Sequence, residues 1–486
     1  MPQSDAPGAA VEPPGSPVDP PSSPPPPGRS RRRSWLLGLG LLVAVLLGVA
    51  VAVGVSRLLL DDTGAASPAP SGTASQHPRP GSGAPSGSAG TGSGTPTPDA
   101  AAGRADAVEA LLADRARAVA TGDRDLFLAT VDPAATDFYA AQGRLFDRVA
   151  GIDLAEWSYA VTGDGPGFTA DRARELPSGS AIVRARLTYR LTGTDTTTDR
   201  EQYLTVVPRG SNWLLAADTD ASPSGLDTQR DLWDLGPVRV VHGDASVVLA
   251  DRRGATPARV RTIADEADLA VRDVDDVWTG DWSRRPVVLL PRSQQDMATL
   301  IGSDGDGLAQ IAAVTTGSFE SGLSRGDRIV INPAAWDILG ELGRRVVLTH
   351  EMTHVATRSS SVVAPPIWLS EGFADYVAYQ ASPVPTAVVA SDVLDDVRDG
   401  DIPRTLPTSD DFDASHGDIS AAYEGAWLAC RMIAERYGEK KLVALYAAVT
   451  DSSGAGYPEE MREVLGIGER ALVHDWKAYL RDKAAA

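Results

Sequence analysis

Two of the six histidines in this 486-residue chain stand one helical turn apart, in the stretch LTHEMTH that runs from Leu348 to His354. No other stretch constrains the fold as tightly. Positions i and i+4 of an α-helix project from one side of it, so His350 and His354 can present their imidazoles to a single ion. The apolar residues Leu339, Leu342 and Val346 lead along the same stripe, which predicts that the pair faces the interior. A buried imidazole needs a partner, and a shared cation supplies one. Glu351 points to a neighbouring angle, near enough to touch a water on that cation without binding the cation itself.

The segment PPIWLSEGFADYVAYQ, beginning at Pro365, predicts a second helix from about Trp368 with Glu371 on its first turn. Returning antiparallel to the first helix, it would bring a carboxylate as third ligand and leave the fourth tetrahedral position to water. A structural zinc site would use four protein ligands, usually cysteines. The only cysteine is Cys430, which excludes a thiolate-built site and an intrachain disulfide. Cys430 falls on an apolar stripe with Tyr423, Ala426, Trp427, Ile433 and Tyr437 and reads as packing.

These two motifs resemble those of the glutamate-ligated zinc peptidases, the gluzincins, and in particular the aminopeptidase-like branch whose second motif reads W-L-N-E-G-F-A. Here it is Trp368-Leu369-Ser370-Glu371-Gly372-Phe373-Ala374. The resemblance covers roughly residues 237–484. It implies a zinc ion (Zn2+) held by His350, His354 and Glu371, with Glu351 as general base. Asp375 is similar to the carboxylate that receives the outer N–H of a ligand histidine in that family. Its other reading is a cap or an arginine partner. Tyr423-Glu424-Gly425 resembles the family's oxyanion-stabilising tyrosine, with one residue fewer before the glycine. Packing on the stripe with Trp427 is the alternative, and His416 is a second candidate for the oxyanion role. The G-x-M-E-N segment that holds the substrate amine in the exopeptidases has no counterpart in AAVTTGSFESG (312–322), which favours an endopeptidase.

The rest of the chain frames this expectation. Residues 1–34 are a Pro- and Ser-rich tail, predicted to be disordered in the cytoplasm. Trp35 to Val55 is uncharged and, as a helix, about 30 Å long, enough to cross a bilayer. The arginine cluster before it predicts a cytoplasmic N-terminus and an extracytoplasmic bulk, anchored by one pass in the cell membrane, with a cleaved secretory signal as the rival reading. Residues 61–103 read as a flexible tether that includes a solvated His77. Helical then alternating patterns over 104–222 predict an α+β domain resembling the cone-shaped nuclear transport factor 2 superfamily, a binding or spacer module with a protein partner in view. A boundary is expected in DASPSGLDTQRDLWDLGP (220–237). Beyond it a mixed sheet leads into a mainly helical part. There the strand DRIVINP (327–333) is expected to line the cleft with its free edge. His242 and His474 are expected to be structural, His474 packing beside Trp476.

The formal charge is −20, and the first 60 residues carry +2, leaving −22 on the remainder. A surface that acidic repels phosphate backbones and argues against a nucleic-acid partner. The basic residues are nearly all arginine, a composition that suggests a GC-rich bacterial genome. The overall expectation is an α+β multidomain, membrane-anchored zinc metallopeptidase acting on peptide or protein substrates. The alternative is an envelope-anchored binding or scaffold protein with an idle zinc site.

Overall fold

The structure, a computed structural model, describes residues 98–486 apart from 306, 317–325, 381, 414–418 and 452–455. The expected tail, the apolar run Trp35–Val55, most of the tether and His416 lie outside the described residues. Among the described residues no helix is long and apolar enough to cross a membrane.

The described chain is α+β, with two sheets. Helices α1 (Pro98–Thr121), α2 (Arg124–Ala129) and α3 (Thr136–Val149) precede an antiparallel meander of β1 (Leu154–Asp164), β2 (Ala181–Leu191), β3 (Thr198–Arg209) and β4 (Asn212–Ala217). A short helix α4 (Ala170–Glu175) joins β1 to β2. The period-2 alternation of β2 turns its odd-numbered residues inward. Val183 and Ala185 pack under α1 with Val108 and Leu112. Further along the same face, Leu187, Tyr189 and Leu191 belong to the core of the C-terminal part. The expected boundary segment is therefore packed rather than open: within it α5 (Leu232–Leu235) buries Leu232 and Trp233, and the Trp233 ring meets Tyr189 at 4.8 Å.

The second sheet has the order β5-β6-β7-β9-β8, from β5 (Val238–His242), β6 (Val247–Asp251), β7 (Val287–Leu290), β8 (Ala313–Thr316) and β9 (Arg328–Ile331). Strands β6, β7 and β9 are parallel, while β5 and β8 run antiparallel at the edges. Parallel strands covered on both faces read as unbroken apolar runs, as VVLA (247–250) and VVLL do. Between β6 and β7, α6 (Pro257–Asp275) starts at Pro257 with the Thr256 side chain accepting from Arg259 N. Helix α7 (Gln294–Ile301) follows β7.

The strand DRIVINP is not the edge. Its residues Arg328–Ile331 form β9, paired on both sides, and β8 is the edge strand among the described residues. Chain order does not determine spatial order when a hairpin folds back outward.

After α8 (Pro333–Trp336) come α9 (Glu341–Arg358) and α10 (Ile367–Tyr379), then α11 (Thr386–Val389), α12 (Ser391–Asp399), α13 (Ser420–Tyr437), α14 (Glu439–Thr450), α15 (Tyr457–Leu465) and α16 (Glu469–Ala485). Helix α10 crosses α13 at Gly372, where an added Cβ would lie 2.6 Å from the carbonyl carbon of Ala426 and 3.0 Å from Cys430 Sγ. Glycine is what lets the two backbones approach this closely. Cys430 is fully buried, as its stripe predicts. His474 is exposed, contrary to expectation, and Trp476 alone fills the core, its indole N–H donating to Gly425 O at 3.1 Å.

Candidate metal centre

Helix α9 carries LTHEMTH in its middle, and every residue from Val346 to Thr357 is buried. His350 and His354 are 4% and 3% exposed, so burial, and not only spacing, demands that their ring nitrogens be satisfied. Helix α10 returns with Glu371 on its second turn, 7% exposed, facing both rings. Glu371 Oε2 lies 3.4 Å from His350 Nε2 and 3.4 Å from His354 Nε2, and the two nitrogens are 3.1 Å apart. With bonds of about 2.0–2.1 Å, the corners of a tetrahedral zinc site stand about 3.3 Å apart. The three donor atoms thus outline one face of such a tetrahedron. Glu371 Oε2 is buried without a hydrogen-bond partner, as a ligand atom would be. Among the described residues this is the one cluster of three His, Cys, Asp or Glu groups arranged to hold a metal.

The fit extends outward. Asp375, one helical turn after Glu371, sits 2.7 Å from His350 Nδ1 through its Oδ1. That contact gives Nδ1 the proton and turns the Nε2 lone pair toward the cluster. Burial alone would lower the pKa of His350, but Asp375 and Glu371 outweigh it and raise it well above the ordinary value. His354, without a carboxylate behind it, is lowered to about 4, chiefly by burial, and is neutral. Burial would raise Glu371, but the two histidines outweigh it and lower it to about 2, so it is ionised. Burial lifts Asp375 to about 6 against the pull of His350.

Glu351 is 1% exposed and pushed up to about 7, mainly by burial. Its Oε2 accepts a 2.6 Å hydrogen bond from Thr315 Oγ1 on β8, while Oε1 is buried with no partner. Thr315 Oγ1 also lies 3.0 Å from the Glu351 backbone carbonyl. Sequence reasoning missed Thr315. Its only signal was the pair of hydroxyls, Thr315 and Thr316, that ends the buried strand AVTT.

Tyr423 on α13 is 1% exposed, its ring edge-on to Phe412 at 4.8 Å. Its hydroxyl has no hydrogen-bond partner among the described residues. Burial, then the charges of Glu371, Asp375 and Glu351, raise its pKa well above the usual value, so it remains a donor at the margin of the cluster. His242 ends β5, exposed, its carbonyl accepting from Arg261 at 2.9 Å, with no link to the cluster.

No known family model and no curated protein matches the chain. Among solved structures it is similar to an M1 zinc metallopeptidase from Deinococcus radiodurans, at 12% identity and a TM-score of 0.30, over 67% of this chain and 61% of that one. A two-domain M1 zinc metallopeptidase mutant bound to L-arginine is similar at 14% identity and a TM-score of 0.30, over 63% of this chain and 61% of that one. The chain spans about three fifths of the length of the solved structures it matches. Likeness this distant leaves the function to be argued from the site.

Proposed function

We propose that this chain is a zinc-dependent peptidase of the gluzincin type, with His350, His354 and Glu371 as ligands and Glu351 as general base. The observation that carries the reading is the near-tetrahedral face of donor atoms with Glu351 Oε1 left free beside it. Zinc bound there would supply Lewis-acid polarisation of a carbonyl and lower the pKa of a water. Glu351 would take a proton from the attacking water on Oε1 and return it to the leaving amine, while Thr315 keeps Oε2 occupied and the carboxylate aimed. Asp375 fixes the His350 tautomer. Tyr423 donates its hydroxyl to the developing oxyanion. The outer edge of β8, beside Glu351, is the strand to which an extended peptide pairs through its main chain, so cleavage is largely indifferent to side chains.

The absence of a G-x-M-E-N segment favours internal cleavage over removal of N-terminal residues. In this reading the apolar run Trp35–Val55 anchors the protein in the membrane with its C-terminal bulk outside, and the part over 104–222 resembles the nuclear transport factor 2 superfamily. The test is a comparison of wild type and Glu351→Gln on blocked and unblocked peptides, with zinc content measured for both. The expected result is equal zinc, cleavage of blocked peptides by wild type and loss of turnover in the variant. Equal rates for the two proteins would overturn the reading.

A further inference from the structure

Strand β8 is only four residues long and has a ladder neighbour on one side, yet it carries the hydroxyl that grips Glu351. What holds β8 therefore sets where Glu351 points. Its last residue, Thr316, pairs with Arg328, the first residue of β9, and Thr315 pairs with Ile329. This is the end of the ladder, where backbone hydrogen bonds continue in one direction only.

Arg328 is anchored there by residues from far upstream. It is 2% exposed, and its Nη1 donates to Tyr189 Oη on β2 at 2.9 Å and also to Asp231 Oδ1. Tyr189 Oη donates to Asp231 Oδ1 at 2.9 Å, and Arg200 Nε on β3 reaches the same oxygen at 3.3 Å. Asp231 is itself held, its backbone N–H donating to Asp234 Oδ2 at 2.7 Å. Just before β9, Gly326 has φ +75° and leaves no room for a side chain: a Cβ would lie 2.6 Å from Thr197 O and 2.8 Å from Thr198 Cα, at the start of β3. The β9 end of the hairpin thus rests on the first sheet through both backbone and side chain. A buried charged network is directional, and it resists displacement in a way that apolar packing does not.

We infer that Tyr189, Asp231 and Arg328 are positioning residues for the proposed hydrolysis: they clamp the β8–β9 ladder end to the first sheet and so fix Thr315 and the carboxylate of Glu351. The first sheet is then a working part of the catalytic apparatus and not a spacer. The inference rests on the peptidase reading for its catalytic consequence. The clamp itself does not.

The experiment uses the full chain with Tyr189→Phe, which removes one hydroxyl and keeps the ring, together with Thr315→Val and the double variant. Amide hydrogen exchange over 313–316 is read alongside zinc content, kcat and KM. The clamp predicts faster exchange at 313–316 in Tyr189→Phe, a kcat lowered about 3- to 10-fold with KM and zinc content unchanged, and a double variant no slower than Thr315→Val alone, since misplacement by a fraction of an ångström slows chemistry without altering binding. Fold-changes that multiply in the double variant, or unchanged exchange at 313–316, would overturn it. Asp231→Asn gives the same readouts with a larger expected effect. Should wild type cleave no peptide, the peptidase reading fails alone, and the exchange data still decide the clamp.

Discussion

Gly372 lies between the metal cluster and the rest of the helical part, and its replacement by alanine tests how the site is held. The added Cβ would lie 2.6 Å from the Ala426 carbonyl carbon and nearer still to its oxygen, where ordinary contact begins at 3.4 Å, so α10 and α13 would have to separate by more than the ~0.8 Å the carbon alone requires. Neither neighbour is a flexible side-chain end that can swing away, since one is backbone and the other is the buried sulfur of Cys430. Alanine gains about 1 kcal/mol over glycine in a helix interior, while overpacking of this kind costs about 1–3 kcal/mol. The expected net effect is a loss of about 0–2 kcal/mol, measured by denaturant unfolding. The site should suffer more than the fold. Glu371 is the preceding residue, and ligand distances tolerate only about 0.2 Å, so zinc affinity is expected to drop about 10- to 100-fold. Competition against a chromophoric chelator measures it. A Gly372→Ala protein that binds zinc as tightly as wild type would refute the argument that this helix crossing positions the ligand.

Three further outcomes follow from the same geometry. Asp375→Asn keeps the shape but not the charge behind His350, and zinc affinity by competition titration should fall about 10- to 100-fold. Tyr423→Phe should leave zinc content and KM unchanged and lower kcat about 100-fold or more, as expected for a lost oxyanion donor; an unaltered kcat would leave Tyr423 as packing against Phe412 only. Burial would raise the pKa of Asp132, but its hydrogen bond and charge contact with Arg209, at 2.6 Å, outweigh that and depress it. A depressed carboxylate contributes stability that is present above its unfolded pKa of about 4 and is lost as pH falls through the lower folded value. Denaturant titrations from neutral pH into acid should therefore show a steeper loss for wild type than for Asp132→Asn.

Much of the site could be read before the fold was seen, because an i, i+4 histidine pair and a following helix are local patterns with local consequences. His350, His354 and Glu371 come together as the helical spacing implies, and Asp375 meets His350 as the resemblance implied. Thr315 could not be found that way. Its tie to Glu351 joins strand to helix across 36 positions, and a threonine in a buried strand has many uses. The cleft-side strand was misplaced for a related reason: alternation and burial identify β8 and β9 as strands, but their lateral order depends on which folds outward. Arg328 and Asp231 are not legible in the sequence, since nothing local to either shows that each is buried against the other. His474 went the other way, assigned to the interior by its neighbour Trp476 although the helix turns it to solvent.

The face of β2 that begins under α1 and finishes against Trp233 has a practical outcome for anyone handling this protein. A fragment begun at Val238 would take Asp231 away from the buried Arg328 and remove Tyr189, Leu232 and Trp233 from the core they share with the C-terminal part, so it is expected to aggregate rather than fold. Melting, in turn, should register as one cooperative transition across both sheets, with no stage at which the metal-binding helices survive alone.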